Sequence, residues 1–258
     1  MACLIARKPH NNLRNNQFNM SELNSENIAV KTYSPAFVPL ASTDDLSLSN
    51  QAYQQLEELI ATMHFKPGSS VSESQLSNLL GIGRTPIREA LQRLSREHLV
   101  TILPKRGIFI AQVDLQKQLK VLETRRELER LVCKKAAKRA TELERQQFAR
   151  IAVDFRKVVS ENNNALFLKV DKELNDLTTQ AARNEYAASA MSSLQGLSRR
   201  FWFGKLHRIA SLSLIAQLHA DVAEAISQGE EVPAGDALDR LLDYIEKLTR
   251  KSVVGDDE

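Results

Sequence analysis

The chain has 258 residues, of which 43% are hydrophobic and 5% aromatic, and it carries a formal net charge of +3. This length accommodates two domains with a sizeable core, and the low aromatic content favours helices over a β-sandwich. Two cysteines without metal-type spacing argue against a secreted disulfide framework and fit a reducing cytoplasm. No run approaches the roughly 20 apolar residues of a membrane span, so we expect no membrane partner. The opening apolar stretch is also too short for a signal peptide.

The first 45 residues are polar and rich in asparagine, without sustained periodicity. This composition predicts a disordered tail over 1–45. Met20 is a more conventional start than Met1, and the sequence does not decide between the two.

Residues 46–111 have the pattern of a winged helix-turn-helix DNA-binding domain. Apolar residues at helical spacing predict a first helix over 47–64 and a second over 72–80. The second helix runs into a glycine turn, and a third helix begins near Thr85, which is the spacing of a helix-turn-helix. Two β-rich runs over 99–110 then predict a hairpin with a basic tip, the wing.

This motif predicts which side chains meet DNA. Arg84 and Arg88 lie four residues apart at the start of the third helix, so both can point from one face into the major groove. Each arginine can donate two hydrogen bonds to a guanine. Predicted contacts to phosphates or to the minor groove are Ser74, Thr85, Lys105, Arg106 and Gly107. The alternative is that both arginines form surface salt bridges on an ordinary bundle.

Residues 114–251 show helical periodicity alone, with short connections, and predict an antiparallel all-α bundle of six or seven helices. Asp114 is predicted to cap its first helix, and Thr141 with Glu144 forms a capping box before the next. Asn164 is predicted to cap the third. The remaining helices are predicted over 185–206, 212–228 and 234–250, with a tail over 252–258. The predicted fold class is therefore mainly α.

Three stretches resemble known regulators. Residues 80–91 (LGIGRTPIREAL) and 106–110 (RGIFI) closely resemble the GntR family of bacterial transcription regulators. Residues 123–129 (ETRRELE) look like the opening of the FCD-type effector domain of the FadR subfamily. The resemblance implies a cytoplasmic homodimer that binds inverted-repeat operators, lies on the nucleoid when bound, and responds to a small carboxylate-type metabolite.

Two positions depart from the family pattern. Gly83 stands where a serine or threonine is usual, which removes a hydroxyl that can cap the helix or touch a phosphate. His98 stands where glycine is usual before the first wing strand. Neither change removes an arginine, so we expect DNA binding to survive.

The resemblance also implies a polar site inside the helical domain. Many FCD domains hold a divalent metal with one aspartate and three histidines. Asp171 and His219 match two of these positions, whereas Asn175 and Tyr244 stand at the other two. Helical spacing predicts that all four point inward or nearly so, and burying such groups costs free energy unless they are satisfied.

Three interpretations of this site stay open. The four side chains line a metal-free effector pocket, or satisfy one another in a core network, or hold a metal through Asp171, Asn175 and His219. The loss of two imidazoles argues against tight metal binding. Arg125 matches a family arginine and pairs either with a ligand carboxylate or with Glu129. Weaker ligand candidates are Arg199 and Arg200.

We therefore predict a metabolite-responsive transcription regulator and not an enzyme. One alternative is a regulator whose helical domain only dimerises. A second is an all-α enzyme that uses Asp171, His219 and Tyr244. No nucleophile–base spacing or phosphate-binding glycine loop supports an enzyme, and that reading leaves the winged helix unexplained.

Overall fold

The computed structural model of the protein describes residues 47–252. The predicted N-terminal tail over 1–45 lies outside the described residues, as does all of the predicted C-terminal tail except Ser252. The choice between Met1 and Met20 also falls there.

The winged helix comes first along the chain. Its elements are α1 (Leu48–Ala61), β1 (Ser70–Val71), α2 (Glu73–Leu80), α3 (Arg84–Arg96), β2 (Val100–Leu103) and β3 (Gly107–Ile110). The helical domain follows with α4 (Leu115–Arg139), α5 (Glu142–Glu161), α6 (Asn164–Ala181), α7 (Glu185–Gly204), α8 (Leu212–Gln228) and α9 (Glu231–Lys251). A single 3-10 turn, Leu206–Arg208, separates α7 from α8. The described residues thus confirm a mainly α fold with six α-helices after the winged helix.

The turn between α2 and α3 is built from local signals. Ser72 caps α2 and forms a reciprocal capping box with Gln75. Gly81 ends the helix with φ of +66°, a left-handed conformation that glycine adopts without steric cost. Because α3 starts three residues later, the two helices cross closely, and Leu76 and Ile87 are buried between them and the rest of the winged-helix core.

The wing is an antiparallel sheet with strand order β1-β3-β2. The sequence predicted only the β2–β3 hairpin, because β1 is two residues long and is defined by its pairing with β3. At the tip, Arg106 donates its N–H to the carbonyl of Leu103 over 3.0 Å. Pro104 precedes Lys105, which has φ of +61°, as expected for the central residues of a type II turn.

The helical domain buries one large apolar core. The helix pair α5 and α8 lies at its centre, with Phe148, Phe155, Ile215 and Ile226 almost fully buried. Helices α4 and α9 pack together beside this pair. None of the helices between residues 47 and 252 combines the length and apolar composition that a membrane span requires.

Two helix starts differ from the sequence prediction. Asn163, and not Asn164, caps α6 by accepting the N–H of Leu166 over 3.0 Å. Helix α9 begins at Glu231 instead of at residue 234, with Pro233 in its first turn. Proline is tolerated there because N–H groups in the first turn have no partner within the helix.

Candidate DNA interface and helical-domain site

The start of α3 is exposed to solvent. Gly83 is its N-cap and provides no side-chain hydrogen bond, as its missing hydroxyl predicts. Arg84, Thr85 and Arg88 are all exposed on the first turns. The opposite face of α3 carries Ile87, Leu91 and Leu94 into the core, so the helix is held by its apolar side and presents its polar side.

A surface cleft of about 330 Å³ lies between α2, α3 and the wing. Its walls include three of the predicted DNA contacts, Ser74, Arg84 and Gly107. Ser74 lies in the first turn of α2. Glu73 also lines the cleft and was not predicted as part of the interface.

The two arginines of α3 have different environments. Arg88 donates two hydrogen bonds to Glu73, from Nε to Oε1 and from Nη2 to Oε2, both 2.7 Å long. These hydrogen bonds lower the pKa of the Glu73 carboxyl, which is therefore ionised near neutral pH. Arg84 forms no hydrogen bond or ion pair with any residue between 47 and 252. The salt-bridge alternative thus describes Arg88 in the unbound protein, but not Arg84.

The wing tip adds a second exposed basic group. Lys105 and Arg106 are exposed, and the turn at Pro104 projects them beyond the β2–β3 ladder. Together with the start of α3, this arrangement can place positive charge on DNA phosphates beside a recognition helix.

Two arginines of α7 join the helical domain to the winged helix. Arg199 forms ion pairs with Glu57 and Glu58 of α1, the first over 2.7 Å. Arg200 is 5% exposed and donates to the backbone carbonyls of Ala111 and Gln112, over 3.1 and 3.3 Å. Both were considered as ligand candidates from the sequence, and the structure places them between the domains. Nothing in the local sequence signals this, because their partners lie far away along the chain.

Burial of Arg200 has an electrostatic cost. Desolvation lowers the pKa of its guanidinium to about 10. The side chain stays charged at neutral pH, and the carbonyl oxygens replace part of the lost hydration.

His219 lies at the polar centre of the helical domain, enclosed by aromatic rings. It is 7% exposed, and its ring centroid lies 5.1 Å from that of Phe155 and 5.4 Å from that of Phe167. Its Nδ1 lies 2.7 Å from the carbonyl oxygen of Ile215, so Nδ1 carries a hydrogen. Its Nε2 faces Oδ1 of Asp171 over 3.2 Å.

The other predicted pocket residues do not all contact Asp171 and His219. Asn175 lies one turn beyond Asp171 on α6, half-buried, and its side chain makes no hydrogen bond with residues 47–252. The hydroxyl of Tyr244 accepts the N–H of Ser211 over 3.0 Å, at the N-terminus of α8. Arg125 forms a hydrogen-bonded ion pair with Glu129, which is one of its two predicted partners.

The divalent metal implied by the family resemblance does not fit these residues. Among residues 47–252, no three His, Cys, Asp or Glu side chains lie close enough together to hold a metal ion. Asp171 and His219 supply two donors, fewer than the three or four protein ligands of a resident transition-metal site.

Comparisons with known proteins agree with this architecture. A family model for bacterial regulatory proteins of the gntR family matches residues 48–110, and a model of the FCD domain matches residues 120–244. The HTH-type transcriptional repressor RspR of Escherichia coli K12 is 23% identical over 195 residues, which cover 76% of this chain and 84% of RspR. The Nta operon transcriptional regulator of Aminobacter aminovorans is 27% identical over 178 residues, which cover 67% of this chain and 80% of that protein.

The fold is also shared with a solved structure. E. coli McbR/YncC superimposes with a TM-score of 0.70 at 15% sequence identity, covering 81% of this chain and 99% of that one. Since the two matched family models adjoin along the chain and the relatives are named as regulators, this protein belongs to the gntR family of bacterial regulatory proteins, as a DNA-binding transcription regulator whose winged helix precedes an FCD domain.

Proposed function

We propose that this regulator binds an inverted-repeat operator as a homodimer and reads each half-site with Arg84 and Arg88. The observation that carries the proposal is the exposed start of α3, which presents both arginines beside a basic wing. Two copies related by a two-fold axis present the same helix to two half-sites, so the preferred DNA sequence repeats in inverted order.

In vitro selection from random DNA tests this proposal, with the mass of the protein measured by light scattering. We expect a dimer and a selected sequence with two inverted half-sites whose centres lie one or more helical turns apart. A monomer that selects a single half-site would contradict the proposal.

We further propose that a small organic acid bound in the helical domain controls DNA affinity. The Asp171–His219 pair supports this, because a half-buried carboxylate and a buried imidazole 3.2 Å apart are polar groups that a ligand entering the apolar domain can contact. Asn175, without a side-chain partner among residues 47–252, is available as a hydrogen-bond partner for such a ligand. The contacts of α7 with α1 and with the segment after the wing provide a mechanical connection from this domain to the DNA-binding helices.

Thermal unfolding in the presence of a panel of small organic acids tests this second proposal. We expect at least one acid to raise the melting temperature and to change operator affinity, because a ligand that binds only the folded state stabilises it. Asn175→Ala should reduce that thermal shift. Asn164→Ala, which removes an exposed amide from the same helix, should leave it unchanged.

The alternative is a helical domain that only dimerises. It predicts that no acid in the panel raises the melting temperature and that operator affinity is constant across the panel. Equal thermal shifts in both asparagine variants would place the ligand away from Asn175.

A further inference from the structure

Glu73 and Arg88 form a planar, two-point ion pair on the DNA-binding side of the winged helix. The Arg88 side chain is 59% exposed and that of Glu73 is 26% exposed, so the pair lies at the surface and not in the core. An exposed ion pair of this kind contributes little to folding stability. Its position at the start of α3 therefore calls for an explanation other than stability.

The geometry leaves one edge of the guanidinium free. A guanidinium carries five N–H groups, and the carboxylate takes one from Nε and one from Nη2 of Arg88. Both hydrogens on Nη1 and the second hydrogen on Nη2 are left. Two of these point in parallel from the far end of the group. That edge matches the O6 and N7 acceptors of guanine, so Arg88 can bind Glu73 and a base at the same time.

Glu73 is itself held in place. It is the first residue of α2, directly after Ser72, whose capping box with Gln75 fixes the start of the helix. Helices α2 and α3 pack against each other, and the buried Leu76 and Ile87 lie in their common core. The carboxylate is thus attached to the same rigid unit as Arg88, and it points Arg88 in one direction relative to α3.

Glu73 also places a negative charge among groups that meet DNA. It lines the same cleft as Ser74, Arg84 and Gly107. A carboxylate there weakens attraction to phosphates in general, since sequence-independent affinity depends on net positive charge.

We propose that Glu73 is a positioning residue for specificity: it holds Arg88 by one edge so that the free edge reads a guanine in each half-site. The proposal rests on the proposed contact between Arg88 and a base. An unpaired Arg88 keeps its charge but samples several rotamers, so it still attracts DNA and reads the base less strictly.

Binding of Glu73→Gln and the wild type to the selected operator, to single-base variants at each position, and to random DNA tests the proposal. We expect the variant to lose roughly threefold to tenfold of its preference at the Arg88 position, as ordering one flexible side chain typically costs a corresponding free energy. Binding to random DNA should be equal or tighter, and the preference at the Arg84 position should not change.

Glu89→Gln is the matched control, because Glu89 is the exposed neighbour of Arg88 and makes no ion pair with residues 47–252. It removes the same charge and should keep the base preference. Arg88→Ala should lose that preference completely, and adding Glu73→Gln to it should cause no further loss of preference.

The possible outcomes separate the two proposals. If Arg88→Ala keeps every base preference, the proposed contact between Arg88 and a base is wrong. If Arg88→Ala loses one preference but Glu73→Gln keeps it, the contact stands and the positioning role of Glu73 is overturned. If Glu73→Gln strengthens both affinity and preference for the operator, the pair is a lock that DNA must open, which also overturns the positioning role.

Discussion

His98 ends α3 in a backbone conformation that most side chains avoid, with φ of +60°. Its N–H donates to Ser95 and that of Leu99 donates to Leu94, the two hydrogen bonds of a Schellman motif. The left-handed position in this motif is usually glycine, which explains the family pattern from which His98 departs. The histidine side chain is exposed, and it makes no hydrogen bond or ion pair with residues 47–252 that could offset the strain.

Replacing this residue should stabilise the protein. We expect His98→Gly to raise the free energy of unfolding by roughly 0.5–1 kcal/mol. An L-residue in the left-handed conformation costs about 1–2 kcal/mol, which glycine avoids. Part of this gain is lost because glycine makes the unfolded chain more flexible and so increases the entropy lost on folding. Chemical denaturation measures the change. His98→Ala keeps the β-carbon and should not stabilise, so an equal gain in both variants would show that the histidine ring is responsible.

Helix α7 belongs to the helical domain, but its C-terminal half lies on the winged helix. Gly196 allows the closest approach, since a β-carbon there would lie 2.6 Å from a methyl group of Leu99. One turn further, Arg199 reaches α1 and Arg200 reaches the segment that leaves the wing. The C-terminal half of α7 therefore connects the two domains through direct side-chain contacts.

Arg200→Met should loosen this contact while leaving each domain folded. Methionine fills a similar space, but the part-buried carbonyls of Ala111 and Gln112 lose their donor, at a cost of roughly 0.5–1.5 kcal/mol for each hydrogen bond. We expect faster proteolysis between residues 111 and 114 and weaker effector control of DNA binding, with the operator preference retained. Arg208→Met, at an exposed position in the 3-10 turn, is the control and should behave as the wild type. Unchanged proteolysis in Arg200→Met would contradict the role assigned to this residue.

At the scale of the whole molecule, the sequence predicted those structural features that depend on residues close together along the chain. Asp114 and Thr141 cap their helices as their local patterns indicate, and Asp114 accepts the N–H of Lys117 over 2.9 Å. The ion pair of Arg125 with Glu129 was one of two alternatives left open by the sequence, because side chains four residues apart in a helix lie next to each other on one face.

Features that depend on distant parts of the chain were not predictable in the same way. Strand β1 is too short to have a pattern and exists because β3 pairs with it. Glu73 and Arg88 are 15 residues apart and meet only because of the angle between two helices. The roles of Arg199 and Arg200 depend on how two domains pack, which no local spacing records.

The partners of Arg200 are backbone atoms, whereas those of Arg199 are the carboxylates of Glu57 and Glu58. Any winged helix with the same chain path offers the carbonyls, but only one with acidic residues on that face of its first helix offers the carboxylates. A chimera that joins this helical domain to the winged helix of another family would therefore keep the contacts of Arg200 without any change of sequence. The contacts of Arg199 would be kept only if two glutamates were introduced at the matching positions of the first helix of that winged helix.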